Sequence, residues 1–331
     1  MRVADNVLDL IGRTPLVRLR TGIPKTGVTA CVKLEFLSPT GSLKDRMAFH
    51  ILRKAMDSGE IRPGDTVIDN TSGNTGSAVA MVASVLGLKS VLVTPEKTSQ
   101  EKVDLIRSFG AEVIITPTEA AHDDPEGCYL MARELARKHG YFDIDQYNSQ
   151  DNVESHYLTT GPEIWEDTDG KITHFVTGIG TGGTFSGTVR YLKERNPEIR
   201  AIAVDPEGSI FADYIREKKL TAGYNYMVEG IGTDVITEAL HPELVDQVIT
   251  VSDKDSFNRA RLIARTEGIS GGGSSGAVAV AMERVAADPG PNAFIVGIFG
   301  DAGIRYLSKC YNDSWMREHG YLPAPEDAAK L

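Results

Sequence analysis

Six residues, Gly41-Ser42-Leu43-Lys44-Asp45-Arg46, put a lysine where a helix is expected to begin. Ser42 is the expected N-cap, Ala48, Ile51, Leu52 and Ala55 mark an apolar face, and Gly59 ends the helix. A helix N-terminus carries partial positive charge, which disfavours an ammonium and favours the free amine. A free lysine amine is the nucleophile that forms an imine with a carbonyl compound. A solvated surface lysine is the plain alternative, since a misplaced surface charge costs only about 0.3–1 kcal/mol.

Two further segments are built to hold anions. Asp69-Asn70-Thr71-Ser72-Gly73-Asn74-Thr75-Gly76 joins the apolar pair Val67-Ile68 to a small-residue helix over Ser77–Leu86. Such a turn can aim several backbone N–H groups and side-chain donors at one anion, and a carboxylate suits it. An ordinary polar turn explains its glycines but not the density of donors between them. Gly178-Ile179-Gly180-Thr181-Gly182-Gly183-Thr184 follows the strand-like run Thr173–Thr177 and opens a helix over Phe185–Glu194. Its glycines allow a tight turn of consecutive N–H groups around a phosphate, and two threonines add hydroxyls.

The second loop has a competing reading. Gly178, Gly180 and Gly183 satisfy G-x-G-x-x-G, and Asp205 lies where a ribose-binding acid is expected. A nicotinamide oxidoreductase follows from that reading. It leaves Lys44 and the Thr71–Gly76 turn without a task.

Together these segments resemble the fold type II pyridoxal 5′-phosphate enzymes, in the branch of cystathionine β-synthases and cysteine synthases (O-acetylserine sulfhydrylases). The likeness runs from about Asn6 to Leu322 and includes Ile11-Gly12-Arg13-Thr14-Pro15-Leu16-Val17. The resemblance implies that Lys44 carries the cofactor as an internal aldimine and that Asn74 bonds the 3′-oxygen of its ring. Gly180, Thr181, Gly182, Gly183 and Thr184 are implied to hold the cofactor phosphate. Thr71, Ser72, Gly73 and Thr75, with Gln146, are implied to hold the substrate α-carboxylate.

Several stretches look like cystathionine β-synthase: Pro95-Glu96-Lys97, Asp145-Gln146-Tyr147, Val204–Ser209, Val228–Gly232 and Asn312–Met316. Thr159–Trp165 looks equally like cysteine synthase. Tyr147, Gly230, Thr233 and Asp234 are candidate substrate contacts. Two departures stand out. Thr233 replaces the tyrosine usual in the β-synthase pattern, and Ala302 stands at or beside a usual serine that bonds the pyridine nitrogen. Asp301 turned inward would favour a protonated ring and a stronger electron sink. Aspartates are rarely buried unpaired, so a solvent-facing or main-chain-bonded Asp301 is the expectation.

The resemblance implies β-replacement on L-serine or an O-activated L-serine, through an aminoacrylate, with a thiol acceptor. Lys44 is then both the cofactor anchor and the base that removes the α-proton. The alternative is cysteine synthesis from O-acetylserine or O-phosphoserine and sulfide. A specialised β-substituted alanine synthase and a serine or threonine dehydratase are also compatible.

The elements that must position these residues alternate. Strand-like runs at 66–69, 90–94, 112–116, 142–145, 173–177, 201–204, 247–251 and 294–299 are separated by helix-like runs. That order predicts an α/β fold with two open parallel or mixed sheets and flanking helices, tryptophan synthase β-like by resemblance. Residues 42–145 are expected to form the smaller domain with the carboxylate loop. The resemblance implies that residues 1–41 join 146–331 in the larger domain, which carries the phosphate loop. Thr98 and Glu101 are the expected capping box of a helix over Gln100–Phe109. The tail Pro323–Leu331 is expected to be mobile.

With 331 residues, 41% hydrophobic and 24% charged, the chain has the composition of a globular enzyme. A net charge of −11 without a basic cluster argues against nucleic acid and anionic membranes as partners. No apolar run is long enough to span a membrane, and no basic-then-apolar signal opens the chain. Three dispersed cysteines and seven histidines show no disulfide or metal-ligand spacing, so no metal is expected. His50 is expected on a helix surface, and His156, though near Tyr147 in sequence, is more readily placed away from the site than in contact with it. Composition suits a cytoplasmic protein, and the resemblance implies a homodimer acting on a small amino acid and a thiol or sulfide.

Overall fold

The computed structural model describes residues 3–24, 26–71, 73–96, 98–117 and 124–323. Two short strands open the chain, β1 (Leu16–Arg18) and β2 (Val28–Leu34). Next come α1 (Lys44–Asp57), β3 (Thr66–Asn70), α2 (Asn74–Leu86), β4 (Lys89–Pro95), α3 (Gln100–Ser108), β5 (Glu112–Thr116), α4 (Cys128–His139) and β6 (Phe142–Asp143). Strands β5-β4-β3-β6, in that order, form a parallel sheet.

The chain continues through α5 (Gln150–Leu158), α6 (Thr160–Asp167), β7 (His174–Gly178), α7 (Gly183–Arg195), β8 (Arg200–Pro206), α8 (Phe211–Glu217) and β9 (Gln247–Val251). It then forms α9 (Asp253–Glu267), α10 (Gly273–Ala287) and β10 (Ala293–Phe299). The second sheet has the order β1-β2-β10-β7-β8-β9, with only β1 antiparallel. Parallel neighbours require crossover helices, which explains why apolar helices cover the faces.

Each sheet has its own core. Val67, Leu92 and Ile144 pack with Met47, Leu52 and the wholly buried Ala78–Ala80 and Val82–Ala83 of α2. The two faces of the larger sheet bury separate clusters, one with Val32, Ile202 and Ile295 and one with Phe175, Phe185 and Phe299's neighbour Ile298. Helix α2 is buried on every side over Thr75–Ala83, as its small residues allow, and is exposed only in its last turn. At Gly76 even a methyl group would lie 2.7 Å from both Ile106 and Thr71.

Four local expectations are corrected. Helix α1 starts at Lys44 with Leu43 as its cap, because Ser42 is drawn into a bridge with Asp301. The Thr98–Glu101 capping box does not form: Ser99 is the N-cap, and the Thr98 hydroxyl pairs with that of Thr94 at 2.7 Å. Strand β2 escapes a hydropathy reading because Lys33 interrupts it. That lysine is fully buried, donates to Thr14 O at 2.7 Å and pairs with Glu163 at 2.9 Å. Asp301 is neither solvent-facing nor bonded only through its main chain, as described below. The tail beyond Pro323 lies outside the described residues. Among the described residues no helix is long and apolar enough to cross a membrane.

Candidate active site

Three segments meet where β10 ends. Leu43 N–H donates to Gly300 O at 2.9 Å, and Ala302 N–H donates to Gly41 O at 3.1 Å. Ser42 bridges Asp301, and Gly271 bridges Ala302. Helix α1 is anchored by Arg46, two residues past Lys44. Its guanidinium donates to Glu35 Oε2 at 2.7 Å and to both oxygens of Glu163 at 2.6 and 2.7 Å. Burying a charge this deeply requires such complete pairing.

Lys44 is thereby held half-buried at the edge of both sheets. Beyond its helix, the only hydrogen bond it makes among the described residues is from its backbone N–H to Ser42 Oγ at 3.4 Å. Burial pushes its amine down to about 8, against a smaller upward pull from Asp69 and then Asp301. Roughly one amine in ten is then neutral at pH 7, far more than for an ordinary lysine.

The first anion loop is tied from within. Thr71 Oγ1 accepts from the N–H groups of Gly73 and Gly76, each at 3.0 Å. Thr75 Oγ1 donates to Gln146 Oε1 at 2.7 Å. Gln146 Nε2 donates to Asp69 Oδ2 at 3.0 Å and to Asn70 O at 2.8 Å. Gln146 is thus buried behind the loop and fixes it. Asn74 and Thr75 begin α2, where no preceding turn offers carbonyl partners for their N–H groups. Gly73 has φ +139°, a conformation only glycine takes readily. Ser72 lies outside the described residues.

The second loop is a cradle that only glycine can line. Gly182 has φ +94°, and a Cβ there would lie 2.5 Å from Leu240 Cα. A Cβ on Gly180 would lie 2.7 Å from Gly230 O, and one on Gly183 would collide with the Asn152 amide. Among the described residues none of the N–H groups of Gly180–Thr184 donates to a protein acceptor. Asn152 Nδ2 donates to Thr181 Oγ1 at 2.9 Å, and Thr237 Oγ1 donates to Thr181 O at 2.8 Å. Thr184 Oγ1 is 3.1 Å from His156 Nε2, whose other ring nitrogen is 2.8 Å from Thr160 Oγ1. Burial, then the charges of Arg46 and Lys44, hold His156 well below its ordinary pKa, so it supports the loop as a neutral ring.

Asp301 joins the two halves. It is 2% exposed and accepts from Asn74 Nδ2 at 2.7 Å and from the Tyr306 hydroxyl at 2.6 Å. Burial raises its pKa, while those two bonds lower it. Asn74 Oδ1, Asp301 Oδ1 and Ser275 Oγ are buried without partners. Buried polar atoms left unpaired cost about 1–3 kcal/mol each, so their presence marks a place for a polar ligand. A free amine, an unclaimed N–H cradle and orphaned polar atoms are what an aldehyde-bearing phosphate with a polar ring requires. Ala302 contributes main-chain bonds only.

The other candidates divide. Gly230 presents its carbonyl to Gly180. Thr233 turns into its own loop, where Oγ1 accepts from Val235 N–H at 3.2 Å and its carbonyl accepts from Ile210 N–H at 3.1 Å. Asp234 is exposed, and its charge helps raise the pKa of both Tyr147 and Tyr226, for which burial is the larger cause. The dinucleotide reading is contradicted. Asp205 is fully buried and caps α8, accepting from Ala212 N–H at 2.9 Å, so it is closed to a ribose.

Sequence reasoning passed over Tyr306, Asn152, and the ion pairs of Glu229 with Lys102 and Lys309. Long-range pairing carries no local signal in one sequence. His50, Asp151 and Glu154 come close enough to suggest a metal. Lys54 already supplies the cation there, donating to Asp151 at 2.6 Å and Glu154 at 2.5 Å.

Residues 7–301 match the sequence family described as pyridoxal-phosphate dependent enzyme. Cystathionine beta-synthase of Apis mellifera is 42% identical over 97% of this chain, which spans 64% of that relative's length. Cysteine synthase of Staphylococcus aureus is 38% identical over 92% of this chain and 96% of its own. The crystal structure of an O-ureido-L-serine synthase superposes with a TM-score of 0.88 at 32% identity, covering 99% of both chains.

Proposed function

This chain belongs to the pyridoxal-phosphate dependent enzyme family, and from that membership we propose a β-replacement on L-serine or an O-activated L-serine with a thiol acceptor. In the serine form the Cβ–O bond breaks, a Cβ–S bond forms, and the hydroxyl leaves as water with the thiol proton. The observation that carries this reading is the unpaired Lys44 amine, brought to about 8 beside Asp69, Asp301 and two anion loops. When bound, pyridoxal 5′-phosphate supplies a conjugated ring that stabilises negative charge at the substrate Cα.

The chain's own residues supply the rest. Lys44 would anchor the cofactor aldehyde, and its amine is the group placed to take the proton from the substrate Cα as general base. The N–H groups of Gly180–Thr184, with α7 behind them, hold the phosphate. Asn74, oriented by Asp301, would bond the ring's polar edge. The loop of Thr71, Ser72, Gly73 and Thr75, fixed by Gln146, orients the substrate carboxylate, while Tyr147, Gly230, Thr233 and Asp234 bound the substrate space. A neutral thiol acceptor loses its proton as it adds, and protonated Lys44 assists a hydroxide leaving group.

A second reading is cysteine synthesis from an O-activated serine and sulfide. It is favoured by the near-complete mutual coverage with a cysteine synthase. Adding each donor to cofactor-loaded protein and then homocysteine or sulfide separates the two by which pair gives product. We further infer that residues 42–145 act as one domain against 1–41 plus 146–331. A homodimer in the cytoplasm accompanies this reading, and the buried thiols of Cys31 and Cys310 suit a reducing compartment.

A further inference from the structure

We propose that Asn152 and His156, one turn apart on α5, are positioning residues that turn the hydroxyl protons of Thr181 and Thr184 toward a bound phosphate. The inference rests on reading Gly180–Thr184 as a phosphate cradle and adds the side chains that set its polarity.

Helix α5 comes close to α7 because α7 has glycine where the two meet. A Cβ on Gly183 would collide with the Asn152 amide, and one on Gly187 would collide with Val153 O and lie 3.0 Å from His156 Cβ. Residues four apart share one helix face, so Asn152 and His156 are presented together. Both are 1% exposed, whereas Thr184 is only partly buried. Packing alone would be served by apolar side chains at 152 and 156, since buried polar groups are costly unless bonded.

The direction of each bond can be read. Asn152 Nδ2 donates to Gln146 O at 2.8 Å and to Thr181 Oγ1 at 2.9 Å. The Gln146 carbonyl can only accept, which fixes the amide nitrogen on that side. Thr181 Oγ1 is therefore an acceptor from Asn152, and its own proton has no partner among the described residues. The His156 ring is neutral, held so by burial and then by the charges of Arg46 and Lys44, and it carries one proton. Its Nδ1 is 2.8 Å from Thr160 Oγ1 and its Nε2 is 3.1 Å from Thr184 Oγ1.

The hydroxyls decide where that proton sits. With the proton on Nδ1, the fully buried Thr160 hydroxyl has no acceptor for its own proton among the described residues. Thr184 would then donate to Nε2 and turn lone pairs to the anion. With the proton on Nε2, Thr160 donates to Nδ1, His156 donates to Thr184 Oγ1, and the Thr184 proton is free for the cradle. This second arrangement uses every donor, and an unused buried donor is costly. The cradle then offers donors only, from its N–H groups and from two hydroxyls. A phosphate dianion, which offers only acceptor oxygens, matches it.

Two double-mutant cycles on cofactor-free protein test this: His156→Leu with Thr184→Val, and Asn152→Leu with Thr181→Val. Each is read by the dissociation constants of pyridoxal 5′-phosphate and of pyridoxal, which lacks the phosphate. Either leucine variant should weaken pyridoxal 5′-phosphate about tenfold or more, the worth of a hydrogen bond to a charged group. With the partner threonine already valine, the further loss should be about twofold or less. Pyridoxal should bind the leucine variants as it binds wild type. His156→Gln, whose amide nitrogen can stand where Nε2 stood, should recover most of the affinity. Nitrogen-15 spectra of wild-type holoenzyme should show the His156 ring protonated on Nε2 and bare on Nδ1. That reading needs no variant to fold except His156→Gln, which identifies the signal by its absence. A proton on Nδ1, or equal losses with and without the threonine hydroxyls, would overturn the inference and leave a packing role. Binding of pyridoxal as tightly as its phosphate ester would instead remove the phosphate cradle on which it rests.

Discussion

Asn74 donates its side-chain amide to Asp301 at 2.7 Å, and this one bond spans the two sheets. Asn74 opens α2, which follows the strand β3 of the smaller sheet, and Asp301 follows β10 of the larger. The amide oxygen of Asn74 and the other carboxylate oxygen of Asp301 are both buried and unpaired. The carboxylate fixes which way the amide faces, since only its nitrogen can donate to Asp301. Asp301→Ala should free Asn74 and Tyr306, weaken cofactor binding at least tenfold, and cost about 1–3 kcal/mol of stability. Titrating pyridoxal 5′-phosphate into cofactor-free protein, with urea melts alongside, checks both effects. Unchanged affinity would mean that the amide needs no such support.

Gln146 occupies all of its near partners: Thr75, Asp69 and Asn70. Gln146→Ala would leave three buried polar groups unpaired and loosen the first anion loop. A loss of about 2–4 kcal/mol is expected, with a raised KM for the amino-acid donor. Gln146→Glu should be worse, because it sets a second carboxylate against Asp69. Steady-state kinetics and thermal melts read the two effects separately.

Gly182→Ala tests the phosphate cradle. Its φ of +94° and the 2.5 Å approach to Leu240 leave no room for a methyl group. The variant should lose cofactor on gel filtration and melt at lower temperature, with a cost above about 2 kcal/mol. Retention of cofactor at wild-type affinity would place the phosphate elsewhere.

Asp205 gives a signed pH dependence. Burial is the first cause that raises its carboxyl from 3.8 to about 6, against the bond from Ala212. A pKa raised on folding stabilises the fold below the unfolded value, and that contribution is lost as pH rises through about 6. At neutral pH the ionised carboxylate is therefore a cost. Asp205→Asn should stabilise the protein near pH 7.5 by about 1–3 kcal/mol and remove part of the stability slope between about pH 4 and 6. Asp45, also near 6, keeps its share of that slope in the variant. Urea midpoints at both ends of the window decide it.

Much of this site was legible in the sequence because its chemistry is local. Glycines and hydroxyls between a strand and a helix suggest an anion loop whatever the fold, and both turns do lie between a strand and a helix. Lys44 was legible for a different reason from the one that dominates. A helix-terminal field suggested a free amine, whereas burial is the main cause of its lowered pKa. Asp301 was misjudged because its partners, Asn74 and Tyr306, come from a distant segment and from five residues onward. The Lys102–Glu229–Lys309 trio was invisible for the same reason, joining residues 127 and 80 positions apart. Strand β2 hid behind a buried lysine whose acidic partner lies far along the chain.

The central claim is a covalent link at Lys44, and the measurement closest to it is peptide mapping after borohydride reduction of the cofactor-loaded protein. A pyridoxyl group on the peptide that contains Lys44, absent from a folded Lys44→Ala variant, is the predicted result. A label on another lysine, or no label on protein that binds pyridoxal 5′-phosphate, would contradict the account.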